Sequence, residues 1–536
     1  MKIISLLPVL LLFIGFANGQ ENYISKVWVA DNGDGTYKNP VLHADYSDPD
    51  AIRVGDDFYM TASSFDAVPG LPILHSKDLV NWSIIGHALL RQPPYYHFSL
   101  TQHGNGVWAP SIRFHKNEFY IYYPDPDFGI YLTKAKNIRG PWTAPVLVES
   151  GKGLIDPCPL WDDNGKVYLI HAFAGSRAGI KSILVIKQMN AEGTKTLDNG
   201  VLVYDGHETD PTIEGPKIYK RNNYYYIFAP AGGVGNGWQL VLRSRNIYGP
   251  YERKVVMDQG KTNINGPHQG AWVTTQTGED WFLHFQDKDA YGRVVHLQPM
   301  KWTNDWPVIG NDASGSGKGE PVVTYKKPNV GKIFPVSTPV ETDEFNSTVL
   351  GLQWQWQANP KASWSFLTGT AVRLYADQIP DSAKNLWDVP NILLQKFTAE
   401  EFTVTAKCSF KPRLDGEKAG FIIMGYDYAY LSLIKKTDGI YLQYTNCKEA
   451  SKGRQETTQS LEMIHANEIY FRVKVMKGAV CQFSYSFDDK AFTNIAETFT
   501  AQPGRWIGAK MGLFCTRNIK TNDSGYAEFD WYRIDK

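Results

Sequence analysis

The sequence has little of several features that would point to particular classes of protein. Lysine plus arginine and aspartate plus glutamate both number 55, so the formal net charge is zero and no basic surface is expected for a nucleic acid. The five cysteines include no C-x-x-C pair, which argues against a zinc site. No stretch keeps a helical hydrophobic period over three turns. A neutral substrate and a β-rich fold are the natural expectations.

Long hydrophobic runs are also scarce, and the one present lies at the N-terminus. Lys2 precedes an apolar run from Ile3 to Phe16, and the small residues Ala17-Asn18-Gly19 follow it, which predicts a signal peptide over residues 1–19. A lipid-anchored protein would need a cysteine at the cleavage point, but the first is Cys158. We therefore expect an exported protein, periplasmic or secreted, with no stable membrane anchor. Zero to two disulfides fit five cysteines, and their spacing does not choose among them.

Repeated β-strand patterns are abundant between about residues 40 and 310. Each unit places an aromatic patch about a dozen residues after a short acidic or X-Pro turn, and apolar and polar residues alternate between these markers. The pattern predicts an all-β chain. We expect a five-bladed β-propeller over residues 20–320, a Pro-rich linker over 321–340 and a concanavalin-like β-sandwich over 341–536.

Three of the repeats carry an acid at an equivalent position. They are Ser47-Asp48-Pro49, Ile155-Asp156-Pro157 and Ile213-Glu214-Gly215-Pro216. Radially arranged blades would bring these acids together on the propeller axis. Inverting hydrolysis of a glycosidic bond needs one carboxylic acid and one carboxylate about 6.5–9.5 Å apart, which opposite blades can supply.

Neighbouring carboxylates compete for these assignments. Asp45 and Asp50 lie beside Asp48, and Asp210 precedes Glu214. The phase of the repeat favours Asp48 and Glu214. For any single Asp-Pro, the alternative is a turn at the start of a strand.

The chain resembles glycoside hydrolase family 43, a family of inverting five-bladed propellers that includes β-xylosidases, α-L-arabinofuranosidases and arabinanases. The resemblance lies in Asn39-Pro40-Val41-Leu42 through Tyr46-Ser47-Asp48-Pro49, Ser76-Lys77-Asp78-Leu79-Val80-Asn81-Trp82, Trp108-Ala109-Pro110, Ile155-Asp156-Pro157 and Glu214-Gly215-Pro216. It implies that Asp48 is the general base and Glu214 the general acid. Asp156 would modulate the pKa of that acid and orient it.

Four further residues are candidates for contact with the sugar. By the resemblance, His268 matches a histidine at the propeller axis, often near a bound calcium or its waters, and Arg293 matches an arginine that binds sugar hydroxyls. Phe65 and Trp108 are candidate walls of the pocket. The alternatives are core packing for His268, Phe65 and Trp108 and solvation for Arg293.

No cofactor is required by this mechanism, but the resemblance suggests a structural calcium in the sandwich, with Asp343 and Asp530 as ligands. The chain departs from the family pattern at Asp50, where many members have serine. An extra charge at that position would act on the neighbouring base or bind a ligand.

The expected function is release of terminal α-L-arabinofuranose from side chains of plant hemicellulose, such as xyloglucan or arabinoxylan. The alternatives are a β-D-xylosidase or dual-activity enzyme, a transglycosylase or endo-acting arabinanase, and a non-catalytic propeller lectin. Endo action needs an open groove, whereas the segment from Leu90 to Gly106 is long enough to close one side. The sandwich is either a carbohydrate-binding module or, as we expect, a structural partner that lends a side chain to the pocket rim.

Overall fold

The computed structural model describes residues 23–466 and 468–536. The predicted signal peptide, residues 1–19, lies outside the described residues. Within the described ranges, no helix has the length and apolar character needed to cross a membrane. The five cysteines all fall in these ranges and are free, buried thiols.

Residues 50–309 form five antiparallel four-stranded sheets that follow one another along the chain, here called blades 1 to 5. Blade 1 comprises Asp50–Val54, Asp57–Thr61, Gly70–Ser76 and Trp82–Leu89, and blade 2 comprises Ser111–His115, Glu118–Asp125, Gly129–Ala135 and Val146–Ser150. Blade 3 comprises Leu154–Trp161, Val167–Phe173, Ile183–Met189 and Val201–Asp205, and blade 4 comprises Lys217–Arg221, Tyr224–Ala231, Trp238–Ser244 and Glu252–Met257. Blade 5 comprises His268–Thr274, Asp280–Asp287, Arg293–Thr303 and Trp306–Ile309. The first strands of neighbouring blades approach one another, as between blades 1 and 2, 2 and 3, and 3 and 4, so they line the axis.

The blades are held together by apolar side chains on both faces of each sheet. Five clusters of buried residues each combine two adjacent blades, so that every blade packs against both neighbours. Ile73 of blade 1 packs with Ile121 of blade 2, and Leu283 of blade 5 belongs to the cluster of Met60 in blade 1. This two-sided burial explains why central strands such as 119–123 read as nearly continuous apolar and aromatic runs.

The ring closes through the segment that precedes blade 1. Leu42 forms an antiparallel bridge with Val295 of blade 5, and the Tyr46 N–H donates to the Arg293 carbonyl at 3.0 Å. The short strand Thr36–Lys38 pairs with Thr324–Lys326, just after blade 5. The ring of blades is therefore closed by pairing between the N-terminal and C-terminal segments of the propeller.

The C-terminal region consists of two antiparallel sheets that face each other across one large apolar cluster. One sheet contains, in spatial order, Gln355–Trp356, Leu393–Lys396, Lys510–Arg517, Lys418–Met424, Tyr428–Lys436, Gly439–Cys447 and Thr457–Ile464, and Asp377–Gln378 joins Lys510–Arg517 in parallel. The other contains Ser365–Leu367, Val372–Tyr375, Tyr526–Asp535, Phe402–Lys411, Ile469–Met476, Val480–Ser486 and Thr493–Thr500. The predicted all-β fold, a propeller followed by a β-sandwich, is confirmed.

Helical structure is limited to short turns in the described ranges. These are the α-helix Gly175–Ala178 and the 3-10 helices His97–Ser99, Asp289–Tyr291, Leu386–Asp388 and Ala450–Lys452.

The sandwich contacts the propeller through a backbone bridge and through hydrogen bonds of a side-chain amide. Val68, in a loop of blade 1, forms an antiparallel bridge with Trp356. Asn359 accepts a hydrogen bond from the Gln92 N–H at 2.7 Å and donates to the Gln92 carbonyl at 2.9 Å. The sandwich thus lies against the loops that leave blade 1.

Candidate active site

The three predicted acids lie at or just before the start of the inner strands of blades 1, 3 and 4. Asp48 and Asp156 both have positive φ, 54° and 58°, and both are followed by proline. In blade 4 the residue before proline is Gly215, with φ 59°, so Glu214 lies one residue earlier than the other two acids. Because successive side chains of an extended chain point in different directions, Glu214 is presented differently from Asp48 and Asp156.

Hydroxyl groups and an arginine orient the Asp48 carboxylate. Ser47 and Ser63 donate to Oδ2 at 2.7 and 2.6 Å, and Arg293 Nη1 lies 3.5 Å from Oδ1. Arg293 Nη1 also donates to the Ser47 hydroxyl at 2.7 Å. Asp48 is buried, so these contacts determine where its oxygens point.

Asp156 lies beside the turn that presents Glu214. The Gly215 N–H donates to Asp156 Oδ2 at 2.7 Å, and the side chain is almost fully buried. Burial, followed by the nearby Glu214 carboxylate, raises the pKa of Asp156 well above its usual range. Asp156 therefore retains a proton more readily than an exposed aspartate, and it holds the backbone next to Glu214.

Glu214 is the most open of the three acids. Its side chain is 31% exposed, compared with 6% for Asp48. His268 Nε2 lies 2.8 Å from Glu214 Oε1, and the His268 ring is fully buried against Phe285. The Glu214 N–H donates to the Pro230 carbonyl at 3.1 Å, which holds this acid to the second strand of blade 4.

The predicted sugar-contacting residues are placed at the same end of the propeller, and two of them contact the acids directly. Arg293 reaches Asp48, and His268 reaches Glu214. The backbone of Phe65 pairs with Val107, next to Trp108, and Phe65 is buried whereas Trp108 is half-buried. Arg177 lies 5.5 Å from the centre of the Trp108 ring.

A residue that sequence reasoning missed completes this wall. Trp506, from the sandwich, packs edge to face against Trp108 with ring centres 6.1 Å apart, and the Arg293 guanidinium lies 5.9 Å from its ring centre. Trp506 is 45% exposed. It lies in a region without blade repeats, so no repeat phase marks it in the sequence.

The competing carboxylates have structural partners. Asp50 is fully buried and pairs with Arg113 at 2.6 Å, and Asp210 pairs with Arg253 through both oxygens. Asp45 accepts backbone hydrogen bonds from Arg293 and Gly508. The unusual Asp50 is thus neutralised by an arginine of blade 2 rather than presented beside Asp48.

The suggested calcium ligands Asp343 and Asp530 each have a side-chain partner within the protein. Asp530 Oδ2 pairs with the Lys407 ammonium at 2.8 Å, and Asp343 Oδ2 accepts from the Trp354 indole at 2.8 Å. In the described residues, no group of three or more His, Cys, Asp or Glu is arranged to hold a metal. A cation at Asp530 would have to displace an ammonium, so these residues do not fit the suggested calcium site. At the axis, His268 Nδ1 has no hydrogen-bond partner within the described chain.

Comparison with known proteins agrees with the observed fold. A model of glycosyl hydrolases family 43 matches residues 37–307, and a model of the beta-xylosidase C-terminal concanavalin A-like domain matches residues 342–535.

Three curated relatives align along most of the chain. A Xylanibacter ruminicola protein provisionally named a beta-xylosidase is 39% identical over 92% of this chain and 88% of its own length. A Formosa agariphila beta-xylosidase is 34% identical over 94% of this chain and 91% of its own. A Bacteroides ovatus protein named non-reducing end alpha-L-arabinofuranosidase is 28% identical over 93% of this chain and 94% of its own.

A solved structure shares the whole architecture. The family 43 protein BlXynB from Bacillus licheniformis superposes with a TM-score of 0.80 at 26% identity, over 93% of this chain and 99% of that one.

Proposed function

The chain belongs to family 43 of the glycosyl hydrolases, and from that premise we propose that it removes single β-D-xylopyranosyl units from the non-reducing end of plant hemicellulose oligosaccharides, with inversion at the anomeric carbon. Membership makes the chain a glycoside hydrolase and leaves no support for the lectin alternative. The observation that carries the proposal is the convergence of Asp48, Asp156 and Glu214 beside Arg293.

The contacts suggest a role for each acid. Glu214, open and held by His268, is the acid that protonates the glycosidic oxygen as its bond to the anomeric carbon breaks. Asp48, fixed by two hydroxyls and Arg293, accepts a proton from the water that attacks the opposite face of the sugar. Asp156 accepts a hydrogen bond that orients the turn before Pro216, and its carboxyl group interacts electrostatically with the neighbouring carboxyl group of Glu214. The first product on a β-xyloside is then α-D-xylose.

Exo action is supported by the walls of the site. Trp506 and Trp108 stand on one side, and Gly104, in the segment after blade 1, lies against the Arg505 side chain. A cavity of about 190 Å³ adjoins Arg293 and is lined by Asp287, Tyr426 and Trp506 among others. It offers room for the sugar that remains after cleavage, and it is shared by the propeller and the sandwich. This supports the expectation that the sandwich lends a side chain to the pocket rim.

The choice of xylose over arabinose follows the relatives. The proteins at 39% and 34% identity carry beta-xylosidase names, so the alternative weighed from the sequence is better supported than the arabinofuranosidase expectation, which is unconfirmed. A second candidate remains α-L-arabinofuranosidase or dual activity, because a relative at 28% identity carries that name.

Initial rates on aryl β-D-xylopyranoside, aryl α-L-arabinofuranoside and xylobiose test the proposal. We expect the xyloside and xylobiose to be hydrolysed faster than the arabinofuranoside, with α-D-xylose as the first anomer seen by proton NMR. A faster arabinofuranoside would favour the second candidate. Initial release of β-D-xylose, or no turnover of all three, would overturn the proposed mechanism.

A further inference from the structure

The loop that carries Trp506, residues 503–508, is anchored at several points. The Tyr426 N–H donates to the Pro503 carbonyl at 2.8 Å, and the Gly504 N–H donates to the Ile507 carbonyl at 2.9 Å. Trp506 itself has φ 66°, a conformation that side-chain-bearing residues seldom adopt. Such a tip keeps its position only if its base is held firmly.

Asp45 provides an anchor for this loop from the propeller. Its Oδ2 accepts the Gly508 N–H at 3.1 Å, and its Oδ1 accepts the Arg293 N–H at 2.9 Å. The side chain is only 6% exposed. One buried carboxylate therefore links the backbone of the arginine that reaches Asp48 to the loop that carries Trp506.

Two glycines make this junction tight. A Cβ on Gly292, whose φ is 76°, would lie 2.6 Å from Asp45 Cβ and Cγ. A Cβ on Gly508 would lie 2.6 Å from the Gly292 nitrogen. Next to this junction, the Ala509 N–H donates to the Ala290 carbonyl at 2.7 Å. The two backbones approach closely because neither glycine has a side chain, and Asp45 fills the remaining corner.

Two buried lysines of the sandwich lie near Asp45. Burial lowers the pKa of Lys396 to about 7, and the nearby Asp45 carboxylate opposes that shift. Burial also lowers the pKa of Lys510, which follows Ala509, and the carboxylates of Asp66 and then Asp45 oppose that shift. The Asp45 carboxylate thus acts electrostatically on two lysines of the sandwich and also accepts hydrogen bonds from two backbone N–H groups.

We propose that Asp45 is a positioning residue that holds Arg293 and the Trp506 loop in one geometry, so that the sugar subsite of the propeller and the aglycone wall of the sandwich are assembled together. The substrate side of this inference rests on the proposed function, whereas the structural link between the domains does not. It assigns Asp45 a role distinct from that of the neighbouring Asp48.

Limited proteolysis tests the link without reference to activity. Arg505 is exposed in this loop, so trypsin can report its opening by cleavage before Trp506. Asp45→Asn replaces one acceptor oxygen by an amide that faces an N–H group. We expect cleavage after Arg505 to become about tenfold faster, because one buried hydrogen bond is lost. The matched control is Asp162→Asn, which should leave this rate unchanged. Asp162 is a buried carboxylate that pairs with Lys220, and it lies at the end of the inner strand of blade 3 that is remote from Asp156.

Kinetics separate positioning from general destabilisation. The measurements are made at temperatures where circular dichroism shows Asp45→Asn and Asp162→Asn to be folded. Asp45→Asn should raise KM for xylobiose about tenfold and KM for the aryl xyloside by a smaller factor. When Trp506→Ala is already present, Asp45→Asn should raise KM for xylobiose by a smaller factor, because the loop no longer carries the aromatic side chain. If Asp45→Asn does not fold, Gly508→Ala disturbs the same junction from the sandwich side and should give both effects.

The inference would be overturned if Asp45→Asn and Asp162→Asn were cleaved after Arg505 at the same rate and had the same KM for xylobiose. If the enzyme proves inactive on xylosides but the Arg505 bond still opens faster in Asp45→Asn, the proposed function fails while the link between the domains stands.

Discussion

Each of the three carboxyl groups is held by a different kind of partner. Hydroxyls and a guanidinium surround Asp48, a backbone N–H reaches Asp156, and an imidazole contacts Glu214. Burial follows the same division, since only Glu214 has a substantially exposed side chain. The three carboxyl groups thus have distinct surroundings, as the proposed acid–base roles require.

Glu214→Gln tests the assignment of the acid. The amide cannot donate a proton to the glycosidic oxygen, so we expect kcat on xylobiose to fall by about 10³-fold. An aryl xyloside with an acidic phenol as leaving group needs little protonation and should lose far less. The difference is measured with a series of aryl xylosides whose phenol leaving groups differ in acidity, as the slope of log kcat against the pKa of the phenol.

The matched control for that series is Asp48→Asn, which removes the proposed base. It should slow good and poor leaving groups alike, because every substrate needs the activated water. Equal losses across the series for Glu214→Gln would contradict its role as the acid.

The acids could be found from the sequence because the X-Pro turn repeats with each blade. The backbone conformation that presents them could not, since Gly215, rather than Glu214, takes the positive φ of Asp48 and Asp156. The contact of His268 with Glu214 joins two blades, and sequence spacing does not specify it. The pairing of Lys407 with Asp530, one of the suggested calcium ligands, is likewise a cross-strand contact that sequence spacing does not specify.

Irregular backbone at the start of the inner strands presents the active-site residues. The pairing of blade 3 shifts register between Ile155 and Cys158, and that of blade 5 shifts between His268 and Gly270. Bulges of this kind re-aim side chains next to functional sites. The regular strands below them supply the rigid support.

Gly270→Ala tests how closely the bulge of blade 5 is packed. A Cβ at Gly270 would lie 1.8 Å from the Leu283 carbonyl oxygen, which belongs to the backbone of the adjacent strand. The strand must therefore shift, and we expect a loss of about 3 kcal/mol in the free energy of unfolding and a displaced His268. Chemical denaturation measures the first effect, and kcat on an aryl xyloside reports the second.

Gly86→Ala is the control for this substitution. Gly86 also lies in a blade strand, but a Cβ there would meet no atom within 4 Å. Its stability should stay within about 0.5 kcal/mol of the parent. If Gly270→Ala left stability and activity unchanged, the adjacent strand would have moved to accommodate the added Cβ without cost, and the prediction would be wrong.

At the scale of the whole molecule, the sequence predicts two β-domains well and their contact poorly. Hydrophobic alternation and Pro-rich composition mark the blades and the segment after them. By contrast, the Val68–Trp356 bridge and the Trp108–Trp506 contact join residues nearly 300 or more positions apart, and no local pattern encodes them. The site rim is a property of the assembled chain.

Glu341, at the beginning of the sandwich, makes this assembly sensitive to pH. It is 3% exposed and accepts a hydrogen bond from the Ser25 hydroxyl at 2.6 Å. Burial raises the pKa of Glu341 from its ordinary value near 4.5 to about 7. The folded protein therefore binds this proton more tightly than the unfolded chain does, and the stability it contributes is lost as the pH rises from about 4.5 to about 7.

Glu341→Gln should remove this dependence, because the amide still accepts from Ser25 but carries no charge. Relative to the parent, the variant should gain up to about 3 kcal/mol in the free energy of unfolding between pH 4.5 and pH 8. Thermal or urea denaturation at a series of pH values measures the difference. The exposed Glu401→Gln is the control, and its curve should run parallel to that of the parent. A parallel curve for Glu341→Gln as well would mean that Glu341 titrates alike in the folded and unfolded chain, so that its burial between the N-terminal segment and the sandwich does not govern stability.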